Sequence, residues 1–150
     1  MSPRPRVPND PYNLQRFVDA QAGDFDDALS EIRSGRKVTH WMWYVFPQID
    51  GLGFSAMAQR YAIKSLDEAR AYLAHPVLGP RLRQCAEAAL AVQGRSAREI
   101  FGTPDDLKLR SSATLFARVS PPDSLFEQLL TKYFDSEPDP NTLDLLAAGQ

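Results

Sequence analysis

The sequence predicts an all-α protein: a compact single-domain bundle of about seven or eight short helices around a buried, tryptophan-rich central segment. Three observations carry that expectation. Apolar residues recur three and four positions apart in one segment after another, the period of a helix face. Helix-starting residues head these segments, and Gly or Pro follows them. The turn dipeptides sit at helix ends, so no good β-hairpin signal appears.

The elements follow in order. Residues 1–9 read as a disordered leader, because Pro3, Pro5 and Pro8 block regular hydrogen bonding and only Val7 is large and apolar. A single helical domain is expected over residues 10–147. Asp10-Pro11 pairs a good N-cap with a proline that has no amide hydrogen to satisfy, and Leu14, Phe17 and Val18 mark the first helical face. Asp24 starts a second helix with Phe25, Ala28, Leu29 and Ile32 on one stripe, and Gly35 ends it. Ser65-Leu66-Asp67-Glu68 is a capping box for a helix running to about Ala74, where His75-Pro76 breaks it. Residues 79–92 place Leu82, Cys85, Ala86, Ala89 and Leu90 on one stripe closed by Gly94. Ser96-Ala97-Arg98-Glu99 is a second capping box, and Gly102 ends its short helix. Thr103-Pro104 opens a helix to roughly Arg118, with Asp105 and Asp106 at its positive end. Pro121-Pro122-Asp123 opens another that turns Leu125, Phe126, Leu129, Leu130, Tyr133 and Phe134 inward. Asp139-Pro140 caps a last helix ending near Ala147.

Composition narrows the function. A chain of 150 residues that is 43% hydrophobic has enough apolar mass for one core and is too apolar for a disordered inhibitor. The net charge of −2, with acids and bases mixed along the chain, offers no footprint for a nucleic-acid backbone. No apolar run approaches the roughly 20 residues that a membrane span needs. MSPRPRVPNDP has two arginines and no apolar core behind them, so no secretory signal is expected. The single cysteine, Cys85, forms no internal disulfide, which suits a reducing cytoplasm. On its apolar stripe it reads as a buried structural thiol.

Two stretches stand out. In HWMWYVFPQIDGLG both tryptophans lie two apart, and Val38 to Phe46 is apolar on almost every side. Periodicity does not separate helix from strand in such a run. A lone strand has no ladder partner, so a short buried helix stopped by Pro47 is expected, with Trp43 and Phe46 in the core. His40, Gln48, Asp50 and Ser55 bracket the run, and Gly51 and Gly53 allow close approach to a ligand. An aromatic wall with a few placed polar groups is the make-up of a small-molecule pocket. His40 reads first as a structural histidine and His75 as a cap. Two histidines without clustered cysteines predict no zinc site, and no other cofactor is indicated.

The second stretch is DDLKLRSSATLF, residues 105–116. On a helix Lys108, Ser111, Ser112 and Leu115 fall on adjoining positions, while Leu107, Ser111 and Thr114 share another face. The small hydroxyl residues either let another element pack closely or form a row of donors for phosphate or ribose oxygens. Phosphate-cradling glycine loops, dinucleotide fingerprints and the G-x-S-x-G elbow are absent.

Together with YAI and EARAYLAHPVLGPRL, these stretches resemble an uncharacterised family of bacteria and fungi, domain of unknown function 1810, over about residues 10–145. The resemblance implies a mostly helical single domain and no established activity. It places His40, Trp41, Trp43, Phe46, Pro47, Gln48, Gly51, Gly53, Ser55, Tyr61, Lys108, Ser111, Ser112, Thr114, Leu115 and Phe116 at motif positions. Tyr44 and Val45 stand where many members have Phe and Ile. The label calpastatin, attached to some members, does not suit this chain, because calpain inhibitors of that name are disordered and polar. A distant likeness to small helical domains acting on ADP-ribose and related N-glycosides is a fold-level analogy.

Three readings follow. In the first, a cleft binds a nucleotide-like or ADP-ribose-like ligand. Trp41 or Tyr44 stacks on the base, Gln48 and Ser55 read polar edges, and Lys108, Ser111 and Ser112 meet phosphate or ribose oxygens. His40, Gly51, Gly53, Tyr61 and Thr114 complete the set. If an N-glycosidic bond is cut, Asp50 or Asp106 steadies the developing cation or activates water. In the second, the protein is a non-catalytic helical module that holds a protein partner. In the third, the motif residues only specify the core. Convergence of Lys108, His40 and Gln48 on one cleft favours a site; an exposed apolar patch favours a partner.

Overall fold

A computed structural model describes residues 10–149; the expected leader, residues 1–9, lies outside the described residues. The fold is all-helical, with α1 Gln15–Gln21, α2 Phe25–Arg33, α3 Met42–Val45, α4 Ala56–Arg60, α5 Leu66–Ala74, α6 Leu78–Ala91, α7 Ala97–Phe101, α8 Asp105–Ala117, α9 Leu125–Phe134 and α10 Pro140–Gly149. These ten helices among the described residues exceed the expected seven or eight because very short helices such as α4 carry too few turns to show a period.

Several starts differ from the sequence reading for identifiable reasons. The Asp10 carboxylate accepts the amides of Leu14 at 2.7 Å and Gln15 at 3.1 Å, so it closes a turn and α1 begins only at Gln15. Asn13, at φ 52°, separates the two. Asp24 precedes α2 but makes no cap bond; its carboxylate takes the Tyr44 phenol instead. Pro104 occupies the N-cap of α8 rather than the first helical position, after a cis Thr103–Pro104 peptide. Ser124, not the Pro121-Pro122-Asp123 run, caps α9, its Oγ accepting the Glu127 amide. The box at Ser96 and Glu99 closes with both reciprocal bonds. At Ser65 only half the box forms: Ser65 Oγ accepts the Glu68 amide, while Glu68 reaches the Lys64 amide and pairs with Arg16 at 2.9 Å. His75 is a cap, its Nδ1 accepting the amides of Val77 and Leu78.

The tryptophan stretch is part helix and part extended chain. After α3 and Pro47, Ile49 pairs with Ile63 in a single parallel bridge, Ile63 N–H donating to Gln48 O and Asp50 N–H to Ile63 O, both at 2.8 Å. The segment therefore crosses the protein without needing a sheet.

The core is organised around α8, which packs against α5, α7, α9 and α10. Leu109, Ala113, Leu115 and Phe116 are buried there, and Phe116 meets the rings of Tyr72 and Phe126. Tyr72 meets Phe17 edge-on at 5.1 Å, which ties α1 into the same stack. Gln21, itself buried, donates to the Tyr44 carbonyl at 2.7 Å and the Tyr72 hydroxyl at 3.0 Å, satisfying polar groups that α1 and α3 bring inside. At Gly79 the end of α5 comes so close that a Cβ would lie 2.1 Å from the Leu73 carbonyl oxygen. No helix among the described residues is long and apolar enough to cross a membrane.

Candidate functional site

Where the Gly51–Ser55 loop faces the starts of α8 and α10, the chain leaves an open cleft of about 550 Å³. Trp43 and Gln48 come from the tryptophan stretch, and Leu52, Gly53, Phe54, Ser55 and Ala58 from the loop and α4. Pro104, Leu107, Lys108, Arg110 and Ser111 come from the start of α8, and Asp139, Pro140 and Asn141 from the start of α10. Gly53 fits because it has no side chain, since a Cβ would stand 2.6 Å from Ala58 Cβ. Ser55 caps α4 by accepting the Ala58 amide at 3.1 Å, which leaves its hydroxyl hydrogen available to a ligand.

Of the expected binding residues, Gln48, Gly53, Ser55, Lys108 and Ser111 meet in this cleft. The aromatic wall is corrected. Trp41 is only 1% exposed, its indole N–H donates to Glu31 at 2.9 Å, and its ring has no free face for a base. Tyr44 is buried, with its phenol donated to Asp24. Burial, the Asp24 hydrogen bond and the Asp24 charge raise its pKa, so the phenol keeps its proton. Trp43, expected in the core, is only half-buried and forms the cleft wall. The two indoles, two residues apart, point to different environments.

The remaining expected residues lie elsewhere. His40 is exposed outside the cleft, so Lys108, His40 and Gln48 do not all converge. Gly51 and Tyr61 line a neighbouring cavity of about 10 Å³, too small for a ligand. Ser112 is buried, its hydroxyl has no partner among the described residues, and it does not line the cleft. Thr114 Oγ1 donates to Arg110 O and accepts the Asp139 amide, both at 2.8 Å, and Thr114 lines a separate cleft between α8, α9 and α10. Asp50 is exposed and pairs with Lys64 at 3.4 Å. Asp106 turns back on its own helix to accept the Leu107 amide at 2.9 Å. Neither expected catalytic carboxylate reaches the cleft; the carboxylate in its wall is Asp139.

Lys108 is held in a chain of charges and rings. Its ammonium lies 5.1 Å from the Trp43 ring centroid and 3.5 Å from Asp105 Oδ1. Asp105 Oδ2 binds Lys37 at 2.9 Å, and the Lys37 ammonium lies 4.9 Å from the Trp41 ring centroid. One carboxylate thus pins two lysines, each on a tryptophan. Arg110 is otherwise engaged, donating at 3.0 Å to the carbonyls of Glu137 and Pro138, which fixes the turn before α10. Sequence reasoning missed Trp43 as a wall, and it missed Phe54, Asp139 and Asn141. Asp139 was legible only as a helix cap, because the approach of α10 to α8 has no local signal.

The cleft thus offers the Trp43 indole in its wall, the Lys108 ammonium, two carboxamides from Gln48 and Asn141, and a carboxylate. Phe54, 83% exposed, and Leu107, 55% exposed, stand at its rim. No group of three or more His, Cys, Asp or Glu that could hold a metal occurs among the described residues. Residues 11–146 match the family described as "Protein of unknown function (DUF1810)". The conserved hypothetical protein Rv1873 from Mycobacterium tuberculosis is similar in structure, with a TM-score of 0.90, 55% identity, and coverage of 92% of this chain and 99% of that one. No curated protein matches the chain.

Proposed function

The chain belongs to the DUF1810 family, whose description assigns no activity, and from that premise we propose that it binds a nucleotide-like small molecule of the ADP-ribose kind in the Trp43–Lys108 cleft. The observation that carries this reading is an indole face and an ammonium in contact within one cleft. Its volume of about 550 Å³ falls within the range of small-molecule sites. At rest the Lys108 ammonium covers Trp43. A base stacking on the ring takes that place, and the displaced ammonium meets the ligand phosphate while Asp105 keeps hold of it. Gln48 and Asn141 supply a donor and an acceptor each for base edges. Any action on an N-glycosidic bond belongs to the same reading and draws on Asp139, not on Asp50 or Asp106.

The exposure of Phe54 and Leu107 at the rim supports a second reading, a non-catalytic module that grips an apolar side chain of a protein partner. Thermal melting against ADP-ribose, NAD and AMP separates the two. At a ligand concentration 100 times Kd the gain is about 2.7 kcal/mol, a rise of roughly 5–10 °C for a domain of this size. A shift that Lys108→Met abolishes supports the nucleotide site. No shift with any of the three sinks it and transfers the weight to the partner reading.

A further inference from the structure

We propose that Asp139 is the acceptor for ligand hydroxyls in this cleft, which makes the ligand class ribonucleotides with an intact vicinal diol rather than their deoxy counterparts. The inference rests on the nucleotide reading above and deepens it.

Asp139 is 9% exposed, and its carboxylate is fixed by neutral donors on one side only. Oδ2 accepts from the Thr142 amide at 3.0 Å and the Thr142 hydroxyl at 2.6 Å, and Ser111 Oγ lies 3.1 Å from it. The Asp139 amide is taken up by Thr114 Oγ1. Oδ1 has no hydrogen-bond partner among the described residues, and no lysine or arginine among them pairs with this carboxylate. Asp139 nevertheless lines the cleft, and its unpartnered Oδ1 is not fully enclosed. One oxygen is anchored, and the other can only accept.

Capping α10 does not account for this arrangement. A cap needs one acceptor oxygen, which asparagine supplies as well as aspartate. The second oxygen repels phosphate and attracts O–H or N–H donors. Lys108, which attracts phosphate, lies one helical turn before Ser111 on the same helix, and Ser111 contacts Asp139. The ammonium-bearing residue and the residue that touches the open carboxylate are therefore about one turn apart on α8, and Lys108 and Asp139 both line the cleft. A ribose 5′-phosphate matches that order, with an anion at one end of the sugar and two adjacent hydroxyl donors at the other.

Asp139→Asn separates the two roles, because the amide oxygen keeps the cap while a donor replaces the open acceptor. The experiment titrates AMP and 2′,3′-dideoxy-AMP into wild type and Asp139→Asn by calorimetry, with melting followed by circular dichroism. Wild type is expected to bind AMP about tenfold or more tighter than the dideoxy analogue, as befits hydroxyl bonds to a charged acceptor. Asp139→Asn is expected to lose that preference while melting near wild type. Equal wild-type affinities for the two probes overturn the proposal and need no variant, so they decide even if Asp139→Asn melts early. A preference retained in Asp139→Asn overturns it as well. Failure of wild type to bind AMP overturns it too, whereas the nucleotide reading falls only if ADP-ribose and NAD also fail.

Discussion

Lys108 rests its ammonium 5.1 Å from the centroid of the Trp43 ring, and this contact joins the tryptophan stretch to α8. The ammonium is partly exposed, and its pairing with Asp105 at 3.5 Å is long. Such pairs contribute no more than about 1 kcal/mol. Lys108→Met is therefore expected to lower the melting temperature by only a few degrees while removing the nucleotide-induced shift. A large loss of stability in urea unfolding would instead make Lys108 a structural charge.

The two tryptophans are expected to respond in opposite ways. Trp41→Ala empties a buried site and deprives Glu31 of a donor, at a cost of about 3–5 kcal/mol. Trp43→Ala removes a half-buried wall, costs less, and loses ligand binding. Urea unfolding of both variants, with calorimetry on Trp43→Ala, checks the split. Equal destabilisation with binding intact in Trp43→Ala would return Trp43 to the core.

Glu31 gives a pH signature. Burial alone would raise its pKa, but bonds from the Thr39 hydroxyl, the Thr39 and Val38 amides and the Trp41 indole outweigh burial and bring it from 4.5 to about 2. The unfolded chain protonates this carboxyl before the folded protein does. Its contribution is therefore complete above pH 4.5 and is lost as the pH falls toward 2. Between those limits the wild-type melting temperature is expected to fall more steeply than that of Glu31→Gln. Parallel curves would remove Glu31 from the account of acid stability.

Cys85 is expected to be inert. Burial raises its thiol pKa and the Arg33 charge lowers it, with burial prevailing to give about 12. Almost no thiolate exists at neutral pH, and the side chain is fully enclosed. A disulfide-exchange reagent should label Cys85 only in denaturant, at the rate of unfolding. Rapid labelling of native protein would contradict the burial.

Elements with both a cap and a stripe were legible in the sequence. Ser65 and Ala74 bound α5 as read, the Ser96–Glu99 box opens α7, and Asp139 starts α10. Proline pairs misled where a later serine made the better cap, as at Ser124. In the site, Lys108, Gln48 and Ser55 were chosen for their chemistry and do share one cleft. The exchange of Trp41 for Trp43 was not legible, because an all-apolar run carries no sign of which face turns inward. Nor was Asp139 as a cleft residue, because the contact that brings it there spans from Ser111 across the whole of α9.

The opposite settings of the two indoles also have an optical consequence. They are the only tryptophans in the chain, one enclosed beside Glu31 and the other in the wall of an open cleft. Native emission is therefore a sum of a blue component from the interior and a redder one from the cleft wall. Exciting the indole selectively in a Trp41→Phe variant would leave Trp43 as the sole tryptophan emitter beside the five tyrosines, so quenching on addition of a stacking compound would report occupancy of the cleft directly, without a label.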